Sequence, residues 1–392
     1  MKIAIYTDDA PISEDRLASG MNRVNTRLFN AINENITTIA TSFQHRDFDN
    51  TDLDSELSKK IVYFEKNKFL SKVIKKIGRI VSNFLKIDID LLFLLHSNKI
   101  CKSIINSKSD VLFVPLGSNI RAFKRAMYIS QITKLPLAVY IVDEFLDAAI
   151  LSDDRIGKTM VETKLSKWLN DTKHIFVISE GMKEYLSTEY QVNSKVLNLP
   201  FEKKYEFIEQ TENQILFLGN LSHFYEDGIL ELLKSLRKFN SLNSNKIVLR
   251  LTIKNLPSFL NGFEDLIVYS KIDGDDNLAK EINKSLFCFI PYSFDKKYKT
   301  MVSTSFPSKT LECLSYAKHI LVYGPSYCSA VRYFDLNNIK TIIDTQDENL
   351  IFTFINKIVN DKINYSIEYN NIVTNNHSYD SIKTTFLGTI YE

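Results

Sequence analysis

Ser303-Thr-Ser-Phe-Pro-Ser-Lys-Thr-Leu-Glu312-Cys-Leu-Ser-Tyr-Ala-Lys-His-Ile-Leu-Val-Tyr-Gly-Pro325 is the stretch on which the reading of this 392-residue chain turns. Its Ser/Thr residues and Pro307 predict a helix start. First-turn N–H groups have no partner inside a helix, so a proline loses little there. Leu311, Leu314 and Ala317 or Tyr316 follow at helical spacing. Ile320 to Tyr323 then reads as a short strand, stopped by Gly324-Pro325. The unit is loop, helix, strand. Free N–H groups and the positive dipole end favour an anion at the helix start. Lys309 adds a full positive charge in that turn, where it disfavours the helix unless an anionic ligand relieves it. Glu312 shares the face of Ser308 at i+4, and a carboxylate there suits a sugar diol because it accepts bidentately. The alternative for this segment alone is an ordinary amphipathic helix with a proline start.

Upstream, Ile175 to Ser179 reads as a strand running into a helix, Glu180-Gly-Met-Lys-Glu-Tyr-Leu. An apolar segment, Val196-Leu-Asn-Leu-Pro200, closes it. Pro307-Ser-Lys-x-x-Glu312, followed by a short helix and Ile-Leu-Val-x-Gly-Pro325, resembles the donor-nucleotide site of GT-B glycosyltransferases. The closer likeness is to the bacterial glycosyltransferase group 1, the GT4-like enzymes. The 175–200 segment resembles the end of their first domain. The resemblance implies an α/β fold with two Rossmann-like domains facing a central cleft. It implies an acceptor-side domain over 1–200 and a nucleotide-sugar-binding domain over 213–375, with a final helix in 379–392 packing back on the first. Glu312 would hold the ribose hydroxyls, and Ser308 and Lys309 would lie near the diphosphate.

The rest of the chain supplies the other candidates. Lys2 to Thr7, ending in Asp8-Asp9, reads as the buried first strand of a parallel sheet. A loop with Pro11 and Gly20 leads to a helix from about Met21 to Asn33. Ligands of doubly wound folds sit beyond the carboxyl ends of the strands. By resemblance Ser19, Gly20 and Arg23 are contact candidates, although a lone glycine also marks a simple turn. Asp110 to Pro115 and Leu137 to Val142 read as two more buried strands. Asp143 follows the second and is a candidate base or acceptor-orienting group, or else a helix cap. Val142 stands where many relatives have His. Ile215 to Gly219 opens the second domain, and in the family its loop faces the diphosphate and often ends in Lys. That Lys is missing, so Gly219, Asn220, Ser222 and His223 are the loop's candidates. Lys254 beyond the strand Val248 to Ile253 is a phosphate cation candidate. Pro291 and Tyr292 should sit near the base, with Lys296, Lys297 and Lys299 in the loop that follows.

Lys59 to Lys86 has a different character, with nine Lys or Arg against one acid, Glu65. From Phe69 on, its apolar residues have helical spacing and its polar face is basic. It reads either as an interfacial helix on an anionic membrane or as a solvated surface helix of the first domain.

Composition limits the remaining classes. The hydrophobic fraction of 44% and charged fraction of 24% are those of a globular protein, and the length favours two domains. A net charge of +2 is too small to argue for nucleic acid. Cys101, Cys288, Cys313 and Cys328 are scattered, which fits buried thiols in a reducing compartment. No signal peptide and no membrane-length apolar run is evident, so the expected place is the cytoplasm or the inner face of the cell membrane. There is no Gly-x-Gly-x-x-Gly, Walker A, His-Glu-x-x-His or Gly-x-Ser-x-Gly. Asp88-Ile-Asp90 and Asp273-Gly-Asp275 read as turns, not as metal motifs. The reaction that the resemblance implies is metal-independent transfer of a sugar from a nucleotide diphosphate sugar to a hydroxyl of a bacterial surface glycan, free or lipid-linked, with no bound cofactor. GT4-like enzymes act with retention, and inversion with Asp143 as base is the alternative. Asp143, Lys309 and Glu312 are the expected catalytic set. Two other readings stay open. One is a nucleotide-sugar 2-epimerase of the same fold, and the other is a non-catalytic nucleotide-sugar or glycan-binding module.

Overall fold

The computed structural model describes residues 1–11, 20–41, 55–63, 68–85, 88–203, 205, 212–219, 221–360 and 364–392. The chain divides into two compact units, Met1–Pro200 with Tyr379–Glu392, and Phe201–Ser378.

The first unit is built on strands β1 (Ile3–Thr7), β2 (Ile36–Thr41), β3 (Ile61–Tyr63), β4 (Val111–Leu116), β5 (Leu137–Ile141), β6 (His174–Val177) and β7 (Lys195–Val196). They form one sheet in the order β3-β2-β1-β4-β5-β6-β7, and every pairing is parallel. β1, β4, β5 and β6 are buried along their length, as strands covered by helices on both faces must be. Strand order reverses between β1 and β4, which makes their carboxyl ends the switch point where such sheets bind ligands. Leu116 lies opposite Ile141, so the loops leaving β4 and β5 start side by side. β2 and β3 were not anticipated. β2 is buried on both faces and shows no polar–apolar alternation, and β3 has only three residues. The last helix, Tyr379–Tyr391, belongs to this unit: Phe386 lies 4.8 Å from Phe113 and 5.1 Å from Phe176, ring centre to ring centre.

The second unit has strands β8 (Glu212–Phe217), β9 (Val248–Leu251), β10 (Ile267–Tyr269), β11 (Ser285–Pro291), β12 (Ile320–Tyr323) and β13 (Ile342–Ile343). They run parallel in the order β10-β9-β8-β11-β12-β13, with the switch point between β8 and β11. Each sheet has its own core. One gathers residues such as Val114, Phe123, Val139 and Leu165, and the other Leu232, Leu249, Phe287 and Ile355.

The segment after β11 differs in detail from the expectation. Lys299–Thr304 is a short helix where a loop was expected, and the next helix runs Thr310–Tyr316 instead of starting at Pro307. Pro307 disfavours helical geometry in the residue before it, so the break falls at Ser305-Phe306. A turn closed by Thr310 N–H to the Pro307 carbonyl, 2.9 Å, then leads into the helix.

Candidate functional site

In the second unit, the turn at Ser308-Lys309 aims the following helix so that all of Thr310–Tyr316 is buried. Glu312, in the helix's first turn, is 5% exposed. Lys309 Nζ lies 3.5 Å from Glu312 Oε1. The helix start offers less backbone than the sequence suggested. The N–H groups of Thr310 and Leu311 already donate to the carbonyls of Pro307 and Ser308. Positive charge at this place therefore rests chiefly on Lys309.

The loops at the β8–β11 switch point are tied together. Gly219, with φ +116°, adopts a backbone conformation that side-chain-bearing residues rarely take, and its N–H donates to Thr252 Oγ1 at 3.2 Å beyond β9. The helix Glu226–Leu242 begins close against β11: a Cβ on Gly228 would lie 2.6 Å from Pro291 Cβ. Asp227 accepts from Ser293 Oγ at 2.9 Å and from Phe294 N–H at 3.1 Å. Ser293 N–H donates to the Phe224 carbonyl at 2.8 Å. The Tyr292 ring is fully buried, stacked near Phe224 and edge-on to Tyr225, and its N–H donates to the Tyr323 carbonyl. Pro291 and Tyr292 thus form the packed base of the loops. Lys254 is exposed in the loop beyond β9. Lys297 pairs with Asp295 at 2.8 Å, and Lys299 lies over the Tyr327 ring. His223, exposed, bonds Glu226 at 2.7 Å. Asn220 and Ser19 lie outside the described residues.

In the first unit, Gly20 is the first residue of the helix Gly20–Ala31 and is exposed, with open space where a Cβ would go. Arg23 is half-buried one turn on. Asp143 follows β5 and accepts a hydrogen bond from the Ser118 main chain. Burial pushes its carboxyl above the usual carboxylate range, and that hydrogen bond works against the shift. The helix cap here is Glu144: it accepts from Leu146 and Asp147 N–H at 2.8 and 2.6 Å and from the Tyr185 hydroxyl at 3.0 Å. The next helix therefore makes no use of Asp143. A Cβ on Gly117 would come 3.1 Å from Met21 Cγ and 3.7 Å from Asp143 Oδ2. A glycine there lets Met21 and Asp143 approach at the end of β4.

Sequence reasoning passed over Asp9. Its carbonyl accepts from Asn25 Nδ2 at 2.6 Å and from Thr7 Oγ1 at 3.0 Å, both on buried side chains. The main chain at the end of β1 is thereby fixed. Burial, then the charge of Asp8, push its carboxyl up to about 6. Asp8 itself is held by Arg125, 2.6 Å, and by the Tyr6 hydroxyl, 2.9 Å. The strand-end position of Asp8-Asp9 was the available signal. Among the described residues no three His, Cys, Asp or Glu side chains converge as metal ligands do.

No family model matches the chain, and no curated protein matches its sequence. Solved structures do match along its whole length. TarM superposes with a TM-score of 0.65 at 10% identity, covering 100% of this chain and 99% of TarM. The fold is GT-B. OtsA, a trehalose-6-phosphate synthase, shares this GT-B arrangement with a TM-score of 0.62 at 9% identity, over 100% of this chain and 99% of that one. A structure described as trehalose-6-phosphate from E. coli bound with UDP-2-fluoro glucose gives 0.59 at 9% identity, over 99% and 98%.

Proposed function

We propose that this GT-B chain is a glycosyltransferase. It moves a sugar from a nucleotide diphosphate sugar to a hydroxyl of a bacterial surface glycan, such as a capsule, lipopolysaccharide or exopolysaccharide. The single observation that carries this is the buried Glu312 carboxylate with Lys309 beside it, at the start of the helix that leads into β12. In this reading Glu312 accepts hydrogen bonds from the donor's ribose hydroxyls. Lys309 offsets the charge that grows on the leaving diphosphate, which is stabilisation placed where charge develops. Ser308, Lys254 and Gly219 border the donor, and Pro291 and Tyr292 lie on the side of its base; Asn220, the loop's other candidate, is outside the described residues. Gly20 and Arg23 are the first unit's own candidates for contact with the donor or the acceptor. Asp143, whose burial favours the neutral acid, orients the acceptor hydroxyl. The sugar keeps its anomeric configuration, and no metal is assigned a role. The GT-B neighbours lend support through their ligands: the G117R mutant of S. aureus TarM was solved with Fondaparinux, alpha-GlcNAc-glycerol and UDP, and the E. coli protein with UDP-2-fluoro glucose. The acceptor is a glycan, free or carried on a lipid at the inner face of the membrane.

The test is release of nucleoside diphosphate from UDP-, GDP-, dTDP- and ADP-sugars, with bacterial glycan extract as acceptor, for wild type and Glu312→Ala side by side. Release from one donor, lost in the variant, is the expected result. Equal turnover by both proteins would sink the assignment of Glu312. A second reading, a module that binds nucleotide sugar without transferring it, draws on one observation. The loop after β8 runs into Glu226 and Asp227, with no lysine where relatives of this type often carry one. Donor binding by calorimetry with no release in the presence of acceptor would favour it.

A further inference from the structure

The helix Lys68–Leu85 meets the chain at Ile89 through its two small residues. Gly78 and Ser82, one turn apart, are its buried residues among those described. A Cβ on Gly78 would come 3.3 Å from the Ile89 carbonyl oxygen. Ser82 Oγ accepts from Ile89 N–H at 2.9 Å and donates to its carbonyl at 3.3 Å. Ile74 and Val81 are half-buried, but a second apolar row is left outside. Val73, Ile77, Ile80 and Phe84 recur at steps of four, three and four and are all exposed, Phe84 by 84%. Leu85 is exposed beside them. The helix Leu91–Asn106, packed against this one, adds exposed Leu94 and Leu95 near its start. A helix serving only the core would bury such a stripe, and apolar groups gathered on a surface mark an interaction site.

Charge selects the partner. Lys59 to Lys86 carries nine basic residues against Glu65. Among the described residues Glu56 offsets one of the nine, Lys59, while Asp88 is taken up by Arg121 and Lys124 and Asp90 by Arg125. Two copies of so basic a segment would repel each other, whereas an anionic surface attracts it, and Lys76 stands exposed beside Ile77. No helix among the described residues is long and apolar enough to cross a membrane.

We propose that this two-helix face docks on an anionic lipid bilayer, with Lys68–Leu85 lying in the plane of the interface and Ile77, Ile80 and Phe84 entering the acyl boundary. This deepens the reading of a lipid-carried acceptor, but its test uses no transfer reaction, so either can fail without the other. The full-length protein is sedimented with phosphatidylcholine vesicles, with and without phosphatidylglycerol. Wild type is expected to pellet with the anionic vesicles and to be released by salt. Ile80→Asp/Phe84→Asp should remain in the supernatant, and Lys76→Glu should pellet less, all with unchanged thermal melting because these side chains are exposed. Wild type that ignores anionic vesicles overturns the proposal. So does a double variant that pellets like wild type. Light scattering that finds a wild-type dimer turned to monomer by the double variant also overturns it, because a second copy would then cover the face.

Discussion

Asp9 sets a pH dependence that a single substitution isolates. Its carboxyl titrates at about 6 in the fold, above its ordinary value of 3.8, because of burial first and Asp8 second. Between those two values the folded chain binds more protons than the unfolded one. This contribution to stability is therefore greatest at low pH and is lost as pH rises from about 4 through about 6. A carboxyl raised that far contributes about 3 kcal/mol at most. Asp9→Asn should melt higher than wild type above pH 6, with the difference gone by pH 4, in thermal scans across pH. Gly228 gives a second residue-level prediction. Its missing Cβ makes room for Pro291, whose ring cannot rotate away. Gly228→Ala should cost about 1–3 kcal/mol of overpacking, read as a lower melting temperature. Lys309 and Glu312 were legible because they lie three residues apart in one motif. Asp9, Ser118 and Asp227 were not, because strand adjacency and loop crossing give them their roles.

At the scale of elements, a buried guanidinium joins three of them. Arg125, on the helix Ile120–Thr133, pairs with Asp8 at the end of β1 and with Asp90, which caps the helix Leu91–Asn106. Its side chain is 9% exposed. Removing one partner of a buried pair leaves the other charges uncompensated, at about 3–5 kcal/mol. Arg125→Ala should lose that much in chemical denaturation. The neighbouring Arg121, more exposed, should lose less on the same substitution. No sequence pattern announces such a hub, because its three members are far apart in the chain. The same limit explains the helix after β11. Composition located it, but Pro307 moved its start to Thr310 by a geometry that spacing does not encode.

For the whole molecule, the two parallel sheets were largely legible from buried apolar runs followed by helical spacing. The short edge strand β3 and the helix Ser366–His377 were not, since neither carries a strong period. The division of the chain has a consequence for folding. Every strand pairing of the second sheet, and every residue of its core, comes from within Phe201–Ser378. The first sheet differs, because Phe113 and Phe176 are covered by Phe386 from the far end of the chain. A fragment of residues 201–378 should therefore melt in one cooperative transition on its own. A fragment of residues 1–200 should not match its stability in the intact chain, because an aromatic side chain between two rings is missing. Phe386→Ala in the intact chain measures that contact directly, with an expected loss of about 3–5 kcal/mol. Calorimetry distinguishes the outcomes. If 201–378 shows no transition, its core depends on the first unit. If 1–200 melts as the first unit does in the intact chain, the terminal helix adds little, and the Phe386 variant should then be silent as well.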